Sequence, residues 1–202
     1  MKETAQHTAE VFILTSEWQD SGGKNILKFY GKSKDLGAVE IKVNNNPVFF
    51  AEKNAQSALT KVPFSEKVVE LKNFNHKKVD ALYFNTQRDL TTAAEELNEN
   101  QIKSFESDVD PCRRFLMERF INAQVKVSGK CEKKEILSSF LNPKIEPCEV
   151  TPELLIASVD IETGANNSLL YSIAIHLSGK KDDKKVFIVS DKNDGLPEYV
   201  DS

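Results

Sequence analysis

The stretch Ala157-Ser158-Val159-Asp160-Ile161-Glu162-Thr163, with the apolar run Leu169 to Leu177 behind it, constrains the fold more than any other part of the chain. It reads as an aliphatic strand that ends in two carboxylates two residues apart. Side chains alternate along a strand, so Asp160 and Glu162 share one face and Ile161 points to the other. A buried central strand that delivers acids at its carboxyl end is a usual place for a site on an α/β sheet. Two acids so placed form the kind of pair that holds a divalent metal for nuclease chemistry. The plainer reading is a strand end with two solvated acids. The chain runs only about forty residues past Glu162. That is too few to complete such a site, so the sequence is expected to be the front of something larger.

Three readings follow from composition. The chain has 202 residues, 40% of them apolar and 29% charged, with 8 Gly and 7 Pro. This is enough for one or two domains with real cores and argues against extensive disorder. No apolar run reaches the roughly 18 residues of a membrane helix, and the polar opening Met1 to Glu10 lacks the core of a secretory signal, so no membrane is expected as a partner. Cys112, Cys131 and Cys148 are odd in number and far apart. They predict reduced thiols and a cytoplasmic setting rather than disulfides or zinc. His7, His76 and His176 are equally scattered, and His7 is expected in a loose tail.

The formal net charge is −4, and all of it lies at one end. Residues 1–150 carry 22 basic and 22 acidic side chains, whereas residues 151–202 carry 5 and 9. No global basic field points to nucleic acid, so any such contact must be local.

Along the chain, Val11–Thr15, Asn25–Tyr30 and Val39–Val43 read as strands of a small antiparallel sheet or meander, punctuated by Gly22-Gly23 and Asp35-Leu36-Gly37. The next order is strand Val48–Ala51, short helix Glu52–Leu59, strands Lys67–Leu71 and Val79–Phe84, helix Arg88–Asn98 and strand Ile102–Glu106. That is βαββαβ, the ferredoxin-like split βαβ unit. RNA-recognition domains share it, but their glycine-aromatic signature is absent here, so fold alone licenses no RNA binding. A helix starts at Asp108-Val109-Asp110-Pro111 and is expected to reach Ile121. Strands follow at Val125–Val127 and Ile136–Leu141. Asn142 to Pro152 holds three of the seven prolines and reads as a linker. The domain boundary is placed there, between residues 1–150 and 151–202. Leu154–Ile161, Leu169–Leu177 and Val186–Val189 then form an antiparallel meander.

Two further groups of side chains bear on function. Arg113, Arg114 and Arg119 share the predicted helix at 111–121, and Arg suits phosphate contact. The competing reading is an exposed helix face with Arg114 and Glu118 paired at i,i+4, and the interleaved acid favours it. Trp18, Phe29, Tyr30, Phe49, Phe50, Tyr83 and Phe84 lie on predicted strands, where aromatics stack bases or, more often, fill a core. The adjacent pair Phe49-Phe50 must put one ring on each face.

Taken together, short matches along the chain carry a resemblance. Asp160-Ile161-Glu162-Thr163 resembles the first exonuclease motif of family B DNA polymerases, and Leu170-Tyr171-Ser172-Ile173-Ala174 is also like that family. Phe12-Ile13-Leu14-Thr15 with Trp18 and Asp20, and Phe115 to Ile121 preceded by Glu106, Asp108 and Val109, resemble its bacterial members. The resemblance implies an α+β fold. An N-terminal antiparallel sheet and ferredoxin-like unit would be followed by the first strands of an RNase H-like 3′–5′ exonuclease domain. It implies a parent acting on primer-template DNA with deoxynucleotides in replication and repair, nucleoid-associated in a bacterial cytoplasm. Asp160 and Glu162 would bind Mg²⁺ or Mn²⁺ there, and the remaining polymerase domains would be partners. The segment itself is expected to be inactive and to self-associate. A stand-alone metal-dependent nuclease and a non-catalytic nucleic-acid-binding module remain as alternatives.

Overall fold

The computed structural model describes residues 4–133, 136–165, 169–179, 182–189 and 200–201. The chain folds as two compact units, Met1–Thr151 and Pro152–Ser202. In chain order the first unit holds strands β1 (Thr4–Ser21), β2 (Lys24–Ser33), β3 (Gly37–Asn45) and β4 (Val48–Glu52), then a single 3₁₀ turn (Ala55–Ala58). Strands β5 (Ser65–Lys72) and β6 (Lys78–Tyr83), helix α1 (Gln87–Glu99), β7 (Ser104–Phe105) and helix α2 (Pro111–Met117) follow. Strands β8 (Gln124–Lys133), β9 (Leu137–Leu141) and β10 (Lys144–Pro147) complete it.

The expected opening meander is present as β1-β2-β3, and it forms part of a barrel. β1 pairs with β8 through its first half and with β2 through its second, changing partner at Phe12. β2 continues to β3, β3 lies parallel to β9, and β9 returns to β8, which closes the ring. This is the arrangement of a five-stranded OB-type barrel. The changeover requires Gly31. A Cβ there would strike the Phe12 carbonyl and come within 2.7 Å of Val11 Cγ1. Alternation sends Val11, Leu27, Phe29, Val39, Ile41, Val125, Val127 and Phe140 inward, all at most 1% exposed. His7 is not in a loose tail: it pairs with Gly129 in the barrel wall, where it shares the face of Ala9 and Val11 and is half-buried.

Helix α2 adds Cys112 and Phe115 to this core, with the Phe115 ring 5.5 Å from that of Phe29. Asp110 caps it by accepting from the Arg113 amide at 2.9 Å, and Pro111 starts it. It ends at Met117, short of the expected Ile121. The Phe120 and Ile121 amides turn back onto the Met117 and Leu116 carbonyls, and Phe120 takes a φ of +55°.

The second sheet of this unit has the order β5-β6-β4-β7, with every pairing antiparallel. This is the split βαβ order, with one crossover reduced from the expected helix over Glu52–Leu59 to the single 3₁₀ turn. Asn54, in the left-handed region at φ +74°, and the short span to Pro63 leave no room for more. Phe49, Ala51, Leu82 and Phe84 pack against Leu90, Ala93 and Leu97 of α1. The segment 142–152 is not wholly linker: β10 pairs with β8 at residues 125–128. Its Pro147 sits at a strand end, where a missing N–H costs no ladder bond.

The second unit is a sheet of β11 (Ile156–Thr163), β12 (Leu170–Ser178), β13 (Asp183–Ile188) and β14 (Val200–Asp201), in that order. The first three form an antiparallel meander, and β14 pairs parallel to β13. β11 is an edge strand, exposed at all eight residues. The expectation of a buried central strand is therefore corrected. Its aliphatic residues read as buried in sequence, but within this unit no helix among the described residues lies over them.

Candidate metal centre

β11 presents its two acids as its alternation requires. Asp160 lies opposite Ala174 and Glu162 opposite Ser172, and the register shift comes only after Glu162. Both carboxylates therefore stand on one face of the sheet, with Cα atoms about 6.6 Å apart from the rise of a strand. Ser158, His176 and Lys184 share that face by register. A groove of about 450 Å³ is lined by residues of both parities, 158–160, 174–176 and 184–186, and does not include Glu162. Asp160 Oδ1 accepts from the Ile161 amide at 3.1 Å, which orients its carboxylate. His176 Nε2 lies 2.8 Å from Asp182 Oδ1. Among the described residues no three His, Cys, Asp or Glu side chains converge as a metal cage. The donor set of Asp160 and Glu162 is all oxygen and exposed. That suits a hard cation such as Mg²⁺, which keeps several waters and takes one or two carboxylates.

Arg114 and Arg119 both approach Glu118, at 3.7 and 3.8 Å, and each has further partners. Arg114 donates to the Glu106 carboxylate at 2.7 Å and to the Glu106 carbonyl at 3.2 Å, and covers the Phe50 ring at 5.7 Å. Arg119 falls beyond the end of α2, correcting the expectation of one shared helix. It stacks on Phe115 at 3.7 Å and donates to the Phe115 carbonyl at 3.0 Å. Arg113 is exposed. Arg114 is largely buried by its contacts, whereas Arg119 holds Phe115 and stays exposed.

The thiols are poor nucleophiles. Burial, helped by Asp110, pushes Cys112 up to about 11, and burial raises Cys131 and Cys148 as well. On the outer barrel wall a paired ladder runs across four strands: Glu17, Lys28 and Tyr30, then Glu40, Lys42 and Ser139. Burial first, then the hydrogen bond to Glu17, raises Tyr30 to about 12. OB-type barrels often use this wall for ligands, but here its charges are matched internally. Sequence reasoning missed this barrel, because its β3–β9 pairing joins residues about a hundred positions apart.

No family model matches the chain. It is 28% identical over 181 residues to DNA polymerase II of Escherichia coli (strain K12), a match that covers 84% of this chain and 22% of that protein. Its fold is similar to part of the family B DNA polymerase from the hyperthermophilic archaeon Pyrobaculum calidifontis, with a TM-score of 0.67 and 16% identity, over 92% of this chain and 27% of that one. The chain thus spans about a quarter of each relative. No helix among the described residues is long and apolar enough to cross a membrane. In sequence and in fold, the chain is similar to the N-terminal region of a family B DNA polymerase of the DNA polymerase II type.

Proposed function

We propose that this chain is the N-terminal part of a DNA-directed DNA polymerase with 3′–5′ proofreading, acting in DNA replication and repair. Residues 1–150 form its N-terminal domain, and residues 151–202 begin an RNase H-like exonuclease domain. The observation that carries this reading is the placement of Asp160 and Glu162 on one face of β11, within a stretch similar to such a polymerase. Asp160 and Glu162 would hold Mg²⁺ or Mn²⁺. When bound, the ion supplies activation of water and charge neutralisation at the leaving oxygen. The chain's own contribution is to hold the two carboxylates side by side, one of them oriented by the Ile161 amide. Further carboxylates would come from elsewhere in a longer protein, as would the groups that bind deoxynucleotides and primer-template DNA.

The 202 residues alone should be hydrolytically inactive, since two-metal hydrolysis needs a fuller carboxylate cage. Labelled single-stranded DNA incubated with the chain and Mg²⁺ or Mn²⁺ should remain intact. In a protein that carries this segment with its downstream domains, Asp160→Ala with Glu162→Ala should abolish 3′-end hydrolysis and spare nucleotide addition. Hydrolysis by the 202-residue chain that disappears in Asp160→Ala would overturn the dependence on other domains. Unchanged 3′-end hydrolysis in the longer double variant would overturn the role of the pair.

A further inference from the structure

β5 is the outer strand of the sheet β5-β6-β4-β7, and it is exposed along nearly its whole length. One side of it pairs with β6, and along the other its amides and carbonyls meet no strand. Proteins ordinarily blunt such an edge with charge and keep apolar residues off it. This edge leaves Val68 and Leu71 exposed, and the hairpin that leads from it to β6 carries a fully exposed Phe74. That hairpin is firmly built. Asn73 Oδ1 accepts from the Asn75 and Lys77 amides, each at 3.0 Å. The Asn73 amide donates to the Lys77 carbonyl at 2.9 Å, and Asn73 Nδ2 donates to Glu52 at 3.0 Å. The turn therefore holds the Phe74 ring out in water, which is unfavourable until another apolar surface covers it.

A row of cations lies beside this edge. Lys72 pairs directly with Lys78. The Lys53 amide donates to the Lys78 carbonyl at 3.2 Å, which carries the ladder one residue past β4. Lys53, Lys78 and Lys72 thus stand in one row across three adjacent strands, all exposed. Among the described residues none of the three is in an ion pair: Lys77 takes Glu52, and Lys61 takes Glu99. Asp80, two residues from Lys78 on the same face, is buried and makes no ion pair with them. Like charges directly opposite one another destabilise a sheet, and an anion over the row relieves that. Edge protection accounts for a lysine on the edge strand, but Lys78 is on an inner strand and Lys53 follows another.

We propose that β5 takes an acidic, partly apolar peptide segment of another protein as an added strand, with its acids on Lys53, Lys72 and Lys78 and its apolar side chains on Val68, Leu71 and Phe74. Main-chain hydrogen bonds along the edge supply affinity, and the side-chain contacts supply specificity. The lysines alone would suit any polyanion. An unpaired strand edge suits another polypeptide backbone, and this favours an acidic peptide over a nucleic acid. The register shift between Val68 and Leu71 interrupts the edge, so the added ladder lies along Ser65–Val68 and the peptide continues past the bulge to the lysines. This surface belongs wholly to the first unit and goes beyond the proposed function, using neither Asp160 nor Glu162.

The experiment uses the 202-residue chain without added divalent ion, so its failure is separate from that of the carboxylate pair. The probe is a fluorescein-labelled twelve-residue peptide of alternating aspartate and leucine, titrated by anisotropy. A second peptide of the same sequence is N-methylated at every residue, which removes its strand donors and keeps its charge. It should bind roughly tenfold or more weakly. Lys72→Gln with Lys78→Gln should weaken binding of the unmodified peptide by roughly 2- to 30-fold, and Phe74→Ala by roughly fivefold or more. Circular dichroism confirms that each variant is folded. Hydrogen exchange at residues 65–68 should slow when the peptide is bound. The proposal is overturned if the unmodified peptide does not bind, if the N-methylated one binds equally, or if exchange slows elsewhere instead. Displacement of the peptide by a lower concentration of oligo-dT of equal charge would make the ligand a nucleic acid and overturn it as well. Protection of residues 65–68 that rises with chain concentration before any peptide is added would make the occupant a second copy, with the same consequence.

Discussion

Asp20 joins the barrel to the second sheet, and its removal gives a quantitative test of how the first unit is held together. It stands at the end of β1, beside the β1–β2 hairpin, yet its carboxylate accepts the Gln87 and Arg88 amides, each at 3.0 Å. These are the first two residues of α1, whose amides have no partner within the helix. Thr86 takes the next one, from Asp89. Asp20 Oδ1 also accepts from Asn25, which is fully buried and in turn accepts from Asn45. In Asp20→Ala, water can reach the exposed helix amides, so that loss is about 1 kcal/mol, including the helix dipole. The Asn25 amide hydrogen is left buried without an acceptor, at about 1–3 kcal/mol. The sum is about 2–4 kcal/mol. Asp20→Asn keeps one acceptor oxygen and should cost about 1 kcal/mol. Urea unfolding followed by circular dichroism measures both, and hydrogen exchange at Gln87 and Arg88 locates the effect. A loss under about 0.5 kcal/mol in Asp20→Ala, or equal losses in the two variants, would refute the reasoning.

Three other outcomes follow from named contacts. Burial pushes the Glu96 carboxyl up, but hydrogen bonds from Thr60 and Lys61 outweigh it and hold it below its ordinary 4.5. Its stabilisation is therefore present above pH 4.5 and lost as pH falls through the lower folded value. Exchange protection at Thr60 and Lys61 should fall in that range, and Glu96→Gln should abolish the step; a step that persists contradicts the assignment. Gly31→Ala should destabilise by at least about 1–3 kcal/mol, because the Phe12 carbonyl blocks a Cβ; a neutral effect in thermal unfolding would show that the β1 changeover can relax. The sheet face opposite the acids carries exposed Val159, Ile161 and Phe187, so the chain should self-associate through it. Light scattering should show mass rising with concentration, and Val159→Lys with Ile161→Lys should make it monomeric; a strict monomer in the parent chain refutes this.

The parts of the fold that were legible in sequence are those set by local pattern. The Phe49–Phe50 step, the helical run Arg88–Asn98 and the Asp110-Pro111 start all announce their elements through neighbours in the chain. The barrel was not legible, because what closes it is remote. β3 and β9 pair across about a hundred residues, and the first half of β1 is strand only because β8 offers it a partner. β10 hides among prolines for the same reason. The site was half legible. Alternation placed Asp160 and Glu162 together, but aliphatic composition could not tell a buried strand from an exposed edge.

The central claim is that Asp160 and Glu162 act together as a divalent-ion pair, and Mn²⁺ titration observed by NMR tests it most directly. Two exposed carboxylates should bind with a dissociation constant on the order of millimolar. Paramagnetic broadening should then be strongest at residues 158–164 and their neighbours across the sheet, Ser172 to His176. It should vanish in Asp160→Asn with Glu162→Gln. Broadening that spreads evenly over all acidic surfaces, or that survives the double substitution, would contradict the claim.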